Sequence, residues 1–304
     1  MNLLISGAWH QSECYLDDIR KHHNVVYLQN ESDNIPCDPT VIEGIICNGL
    51  FLYHPIELFK NLHYIQLTSA GYDRVPMDYV KSHNIIIYNA RGVYSVPMAE
   101  FALSSVLQIY KGTSRFIENQ KNHIWNKQRN LGEIAGKNVA IVGCGSVGTE
   151  CAKRFKAFDA NVIGIDILCR FDPFFDEMFE LNNLDSVLLS SDIVIVTLPL
   201  TNETKYLFSK DRLKNIKNNA ILINISRGAV IKTIDLIDEL NTNRFYAVLD
   251  VFEDEPLDST SKLWNFDNVI ITPHNSFEGE GNGLRISNLI MKNLKDFCCH
   301  NSEE

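Results

Sequence analysis

The sequence predicts an α/β chain of two doubly wound, open parallel sheets, and two observations carry that expectation. Short apolar runs alternate with amphipathic stretches of helical length, once over residues 3–88 and again from residue 139 onward, as βα units around a parallel sheet require. A glycine motif, Gly143-Cys144-Gly145-Ser146-Val147-Gly148, sits directly behind the apolar run 139–142. In a strand-to-helix turn the first glycine permits the tight bend, the second lets backbone N–H groups approach a pyrophosphate, and the third lets helix and strand pack closely.

The elements follow in order. Runs 3–5, 25–28, 44–47, 64–67 and 85–88 are read as the strands of the first sheet. Ser95 is a plausible N-cap with Pro97 near the first turn. They open a long helix through Met98, Phe101, Ala102, Ser105 and Ile109, which could link two domains or carry a subunit interface. Runs 139–142, 162–165, 193–198, 220–225, 247–249 and 269–271 form the second series. After the glycine motif, Val147, Cys151, Ala152, Phe155 and Phe158 fall on one helical face. Asp166 closes the next strand, ~20 residues on, the interval of a ribose-binding acid. Strand, motif, helix, strand and acid in that order favour a dinucleotide site over an unliganded βαβ turn. A final helical stripe, Leu284, Ile286, Leu289, Ile290, Leu294 and Phe297, is expected to return to the first domain, because the second sheet is already complete. The expected division is 1–92 with 278–304, and 93–277.

A chain of 304 residues is long enough for about two domains. A net charge of −10, with no dense Lys/Arg stretch, argues against a nucleic-acid partner. The eight cysteines are scattered without a C-x-x-C pair, as reduced thiols in a reducing compartment would be. Cys298-Cys299-His300 lacks a second ligand pair at zinc spacing, so no metal is expected and the segment is read as a terminal helix end. No basic region precedes Leu3-Leu4-Ile5, and the apolar runs fall short of a membrane span. A cytoplasmic enzyme or binding protein is what remains.

Three further segments lie at strand ends: Asn224-Ile225-Ser226-Arg227-Gly228, the stretch 250–257 containing Asp250 and Glu255, and Thr272-Pro273-His274. Ligand crevices of open α/β sheets form outside the carboxyl ends of the strands. An arginine, an acid and a histidine are thus expected beside the glycine loop. The near match of residues 144–148 to G-x-S-x-G has Cys144 at its first position and does not support a serine hydrolase.

With these segments, Ser69-Ala70-Gly71-Tyr72-Asp73, the stretch 94–100 and Leu198-Pro199-Leu200-Thr201 with Thr204, the chain resembles the NAD-dependent D-isomer-specific 2-hydroxyacid dehydrogenases over nearly its whole length. The resemblance implies a flavodoxin-like substrate domain made from both chain ends, an inserted Rossmann cofactor domain, and a homodimer built on the cofactor domains. It implies that Arg227 binds the substrate carboxylate and polarises its carbonyl, which a planar guanidinium suits. His274 would exchange a proton with the carbonyl oxygen as hydride passes to or from the nicotinamide. Glu255 would fix the imidazole tautomer. Gly143, Gly145, Ser146, Val147, Gly148, Asp166, Pro199, Thr204 and Asp250 would bind or position NAD. The backbone of Ala70 and Gly71 would hold the carboxylate, with domain closure excluding water.

Glu255 separates the chain from the related formate dehydrogenases, which carry glutamine there. Asp166 favours NAD, since a carboxylate repels a 2′-phosphate, although Arg170 offers a nearby cation. The loop at 47–53 lacks the arginine of phosphoglycerate dehydrogenases, so a small or apolar substrate side chain fits better than a phosphate. Phe51, Tyr72, Tyr94 and Phe277 either line that pocket or pack the domain interface. Relatives that act as NAD(H)-sensing partner proteins keep the same trio and stand as the alternative.

Overall fold

The computed structural model describes residues 1–300, the side chain of His300 excepted. It divides into two compact units, residues 1–94 with the C-terminal segment from Gly279, and residues 95–278.

The first unit is a five-stranded parallel sheet, β1 (Asn2–Ser6), β2 (Asn24–Leu28), β3 (Gly44–Cys47), β4 (Tyr64–Leu67) and β5 (Ile86–Tyr88), in the order β2-β1-β3-β4-β5. That is the flavodoxin-like order, which reverses direction at β1/β3. β3 and β4 are buried at every position, as strands covered on both faces must be. Helices α1 (Glu13–Arg20) and α2 (Met77–Ser82) cross over between strands. The C-terminal helix, α9 (Asn282–His300), belongs to this unit; its stripe Ile286, Ile290, Leu294 and Phe297 packs with Leu3, Ile5, Trp9 and Tyr64. Two polar ties fix its rotation: Trp9 Nε1 donates to Ser287 Oγ (2.9 Å) and Asn293 Nδ2 to Gln66 Oε1 (2.8 Å).

The second unit carries β6 (Asn138–Val142), β7 (Asn161–Asp166), β8 (Glu177–Glu180), β9 (Ile193–Val196), β10 (Ile221–Asn224), β11 (Tyr246–Leu249) and β12 (Val269–Ile271), all parallel. Their order, β12-β11-β10-β9-β6-β7-β8, is doubly wound, with the switch point between β6 and β9. Around it lie α3 (Ser95–Tyr110), α4 (Thr113–Lys121), α5 (Ser146–Lys156), α6 (Leu184–Ser190), α7 (Lys210–Leu213) and α8 (Thr233–Leu240). Cys151, Ala152 and Phe155 of α5 are buried against the sheet, in one core with Ala99, Ala102 and Val106 of α3. Truncating a fully buried phenylalanine such as Phe155 costs about 3–5 kcal/mol.

Three local expectations are corrected. Helical spacing extends the α5 stripe to Phe158, but the helix ends at Lys156. Asp159 then turns the chain with φ +58°, leaving Phe158 exposed at 41%. Ser95 is the first residue of α3 and not its cap; its buried hydroxyl has no hydrogen-bond partner among the described residues. β8 is an edge strand that the apolar pattern does not mark, since its outer residues are Glu177 and Glu180.

Candidate functional site

The glycine loop joins β6 to α5 at the switch point. Gly143 has φ +103°, a left-handed conformation that side chains disfavour. A Cβ on Gly148 would stand 2.1 Å from the Gly143 carbonyl oxygen. Nothing lies within 4 Å of where a Cβ on Gly145 would point, so that glycine leaves open the space a bound pyrophosphate needs. The first turn of α5, from Ser146 and Val147, has no side-chain cap. Its N–H groups are therefore left for an anion at the positive end of the helix dipole. Thr197, just past β9, braces the loop by donating to the Gly143 carbonyl.

Asp166 ends β7 beside this loop. Its Oδ2 accepts from Cys144 N (2.6 Å) and its Oδ1 from Ile167 N (2.7 Å). Each oxygen keeps lone-pair capacity for a ribose hydroxyl. Arg170 Nη2 donates to the Cys144 carbonyl (2.9 Å), so a carboxylate and a guanidinium hold opposite sides of one residue. The Cys144 thiol is buried. In the loop after β9, Thr204 Oγ1 donates to the Pro199 carbonyl (2.6 Å) and accepts from Thr201 N (2.7 Å); its hydroxyl shapes the loop. These residues fit a dinucleotide.

The trio sits on loops after β10, β11 and β12. Gly228 is why the first two can touch: a Cβ there would stand 1.8 Å from the Phe252 carbonyl carbon. The Arg227–Gly228 backbone thus lies directly on the Phe252–Glu253 peptide. Arg227 Nη1 donates to the Ser226 carbonyl (2.8 Å), and Asn224 Nδ2 to the Arg227 carbonyl (3.1 Å). The Glu255 carboxylate bridges the next two loops. Its Oε1 accepts from Phe252 N (3.0 Å) and its Oε2 meets His274 Nδ1 at 2.7 Å. Both side chains are partly exposed, leaving Nε2 as the ring atom that can face a ligand. The Phe277 ring meets the imidazole edge-on at 5.9 Å.

Asp250 has a role that sequence spacing does not reveal. It is fully buried; Oδ1 accepts from Thr272 Oγ1 (2.6 Å) and Asn275 N (2.8 Å), and Oδ2 from Ser276 N (3.0 Å). Its own carbonyl accepts from His274 N (2.8 Å). Asp250 therefore builds the turn that holds His274 at φ +50°, an uncommon conformation for a side-chain-bearing residue. Glu253 also escapes sequence reasoning. Burial pushes its carboxyl up, but hydrogen bonds from Thr233 and Tyr206 outweigh that and hold it below the ordinary carboxylate range. It ties the β11 loop to the start of α8.

In the first unit, Ala70 and Gly71 follow β4. The Ala70 carbonyl accepts from Asn89 Nδ2 (2.7 Å) and the Gly71 carbonyl from Ser69 Oγ (3.1 Å). Their N–H groups donate to nothing among the described residues. Of the aromatic residues, Phe51 stands edge-on to Phe59 (6.3 Å) and Tyr94 donates its hydroxyl to the Thr68 carbonyl. No group of metal-ligating side chains occurs among the described residues. No helix among them is long and apolar enough to cross a membrane.

Comparison with known proteins places this architecture. The sequence profile described as D-isomer specific 2-hydroxyacid dehydrogenase, NAD binding domain, matches residues 103–276. A glyoxylate reductase of Thermofilum pendens is 34% identical over 249 residues, covering 79% of this chain and 73% of that protein. A hydroxypyruvate reductase of Thermotoga maritima is 32% identical over 223 residues, 72% of each chain. A solved D-isomer specific 2-hydroxyacid dehydrogenase family protein from Aeromonas salmonicida superposes with a TM-score of 0.87 at 29% identity, covering 98% of this chain and 95% of that one. The chain belongs to the NAD-dependent D-isomer-specific 2-hydroxyacid dehydrogenases.

Proposed function

We propose that the chain reduces a short 2-oxo acid to the D-2-hydroxy acid, with Arg227, Glu255 and His274 as its catalytic residues. The bound reduced nicotinamide supplies the hydride. Arg227 meets the substrate carboxylate and draws electron density from the neighbouring carbonyl. His274 donates its Nε2 proton to the carbonyl oxygen, while Glu255 holds Nδ1 and stabilises the protonated ring. The observation that carries this reading is the 2.7 Å contact between His274 and Glu255, whose loop packs directly on the Arg227–Gly228 backbone. Asp250 positions His274 through the turn it organises. For the free N–H pair of Ala70 and Gly71 we propose carboxylate binding. Asp166 would take the adenosine ribose, Gly143 to Gly148 the pyrophosphate, and the Pro199–Thr204 loop the path toward the nicotinamide.

A homodimer is part of the proposal. Ile117, Ile124, Trp125 and Leu131 leave a set of apolar side chains in water on the second unit, Trp125 at 93% exposure, of the kind that marks a subunit contact. The scattered free cysteines suit a reducing, cytoplasmic setting.

The test is NADH oxidation with glyoxylate, hydroxypyruvate, pyruvate and longer 2-oxo acids, followed by chiral analysis of the product. A D product from at least one is expected. No turnover across the panel, with NADH binding intact, overturns the reading.

A further inference from the structure

Tyr206, two residues beyond Thr204 in the loop after β9, makes contacts that the mechanism above does not use. It holds φ +54°, a left-handed conformation that a bulky side chain seldom adopts. Such a conformation persists only where the surroundings over-determine it, and here they do. Tyr206 N donates to the Ala229 carbonyl (2.8 Å), Phe208 N to the Val230 carbonyl (3.0 Å) and Lys232 N to the Phe208 carbonyl (3.1 Å). Phe208 itself is fully buried. The end of the β9 loop is therefore stitched to the segment that directly follows Arg227 and Gly228.

The side chain of Tyr206 turns to a different loop. Its hydroxyl donates to Glu253 Oε2 (2.8 Å), while Glu253 Oε1 accepts from Thr233 N at the start of α8. The nitrogen of Glu253 lies 2.4 Å from where a Cβ on Gly228 would stand. The carboxylate that takes the Tyr206 hydroxyl thus belongs to the peptide packed on Arg227–Gly228, two residues before Glu255. Three loops are fixed pairwise: β9 to β10 by Tyr206 N, β10 to β11 at Gly228, and β9 to β11 by the Tyr206 hydroxyl. The first two ties are made by backbone. Only the third depends on side chains, so deleting one oxygen removes it alone.

We propose that Tyr206 is a positioning residue for hydride transfer: its bond to Glu253 sets the 199–204 loop, along which the path to the nicotinamide is proposed to run, against the loop that carries Glu255. The inference rests on the proposed function and assigns the register of cofactor against proton donor to a residue outside the catalytic trio. A bond that only stabilised the loop would show in thermal unfolding. A bond that sets the separation of the reacting groups shows in the rate of transfer once both ligands are bound.

The experiment measures Tyr206→Phe and Glu253→Gln beside the unaltered chain. The readouts are the single-turnover rate of NADH oxidation with the best 2-oxo acid, its KM, NADH affinity by fluorescence and thermal unfolding. Tyr206→Phe deletes the hydroxyl and keeps the backbone tie to Ala229. The expected result is a fall of about tenfold in the transfer rate, the worth of one charge-assisted hydrogen bond. KM and NADH affinity should stay within about threefold, and Tm within about 4 °C. Glu253→Gln keeps an oxygen for Thr233 N and offers an amide N–H to the phenol oxygen, so it should lose clearly less rate than Tyr206→Phe. A transfer rate in Tyr206→Phe within about threefold of the unaltered chain overturns the inference. So does a rate loss in Glu253→Gln as large as in Tyr206→Phe, or a loss of NADH affinity as large as the loss of rate. No turnover of any 2-oxo acid by the unaltered chain overturns the proposed function, and the inference with it.

Discussion

Replacing Gly228 by alanine tests whether backbone contact between two loops assembles the catalytic groups. The added Cβ would stand 1.8 Å from the Phe252 carbonyl carbon and 2.0 Å from its oxygen, where ordinary contact begins at 3.4 Å. The loops after β10 and β11 must separate by about 1.6 Å, or tilt to the same effect. No flexible side chain can absorb the shift, because both sides of the contact are backbone. Arg227 precedes the altered residue, and the Glu255 carboxylate is tied to Phe252 N, so the groups proposed to bind the carboxylate and to donate the proton move apart. Misplacement of about 1 Å costs on the order of a hundredfold in rate, equivalent to ~2.7 kcal/mol of activation free energy. Overpacking adds a stability loss of ~1–3 kcal/mol, each kcal/mol being worth ~2–4 °C in a unit of this size. The assays are kcat/KM with the best 2-oxo acid, NADH affinity by fluorescence and thermal unfolding. NADH affinity should hold, because the glycine loop lies after a different strand. A variant with unchanged Tm and kcat/KM within about threefold of the parent would refute the reasoning.

Three more outcomes follow from the site. His274→Ala should lower kcat by about 10²–10⁴-fold with NADH affinity intact; rapid-reaction kinetics retaining most of the hydride-transfer rate would reassign the proton donor. Arg170→Ala should lower kcat/KM for NADPH at least about tenfold more than for NADH, because it removes the cation beside Asp166; an unchanged ratio between the cofactors counts against that placement. Trp125→Glu should convert a dimer to a monomer in light scattering, whereas an unaltered mass would move the subunit contact elsewhere.

Most of the fold was legible because central strands of parallel sheets are buried on both faces. Ile193-Val194-Ile195-Val196 is apolar without interruption and wholly buried, and β3 reads the same way. Edge strands lack that signal, which is why the acidic-ended β8 escapes it. Phe158 misleads because spacing reports the face of a helix but not where the helix stops. Within the site, the glycine loop and the strand-end trio were visible as local motifs. The groups that position them were not. Asp250 reaches residues 272–276 across a separation that only a folded sheet closes. A lone acid in a loop carries no pattern until the loop it binds is known.

Cys144 places a thiol inside the cofactor loop, where oxidation would be expected to disable the enzyme. Burial, reinforced by the nearby Asp166 carboxylate, pushes that thiol up to about 12. Since the thiolate is the form that attacks alkylating reagents and peroxides, the glycine loop is chemically quiet at physiological pH. Oxidants and alkylators meet the exposed Cys14 and Cys299 first, thiols that lie outside the unit carrying the glycine loop.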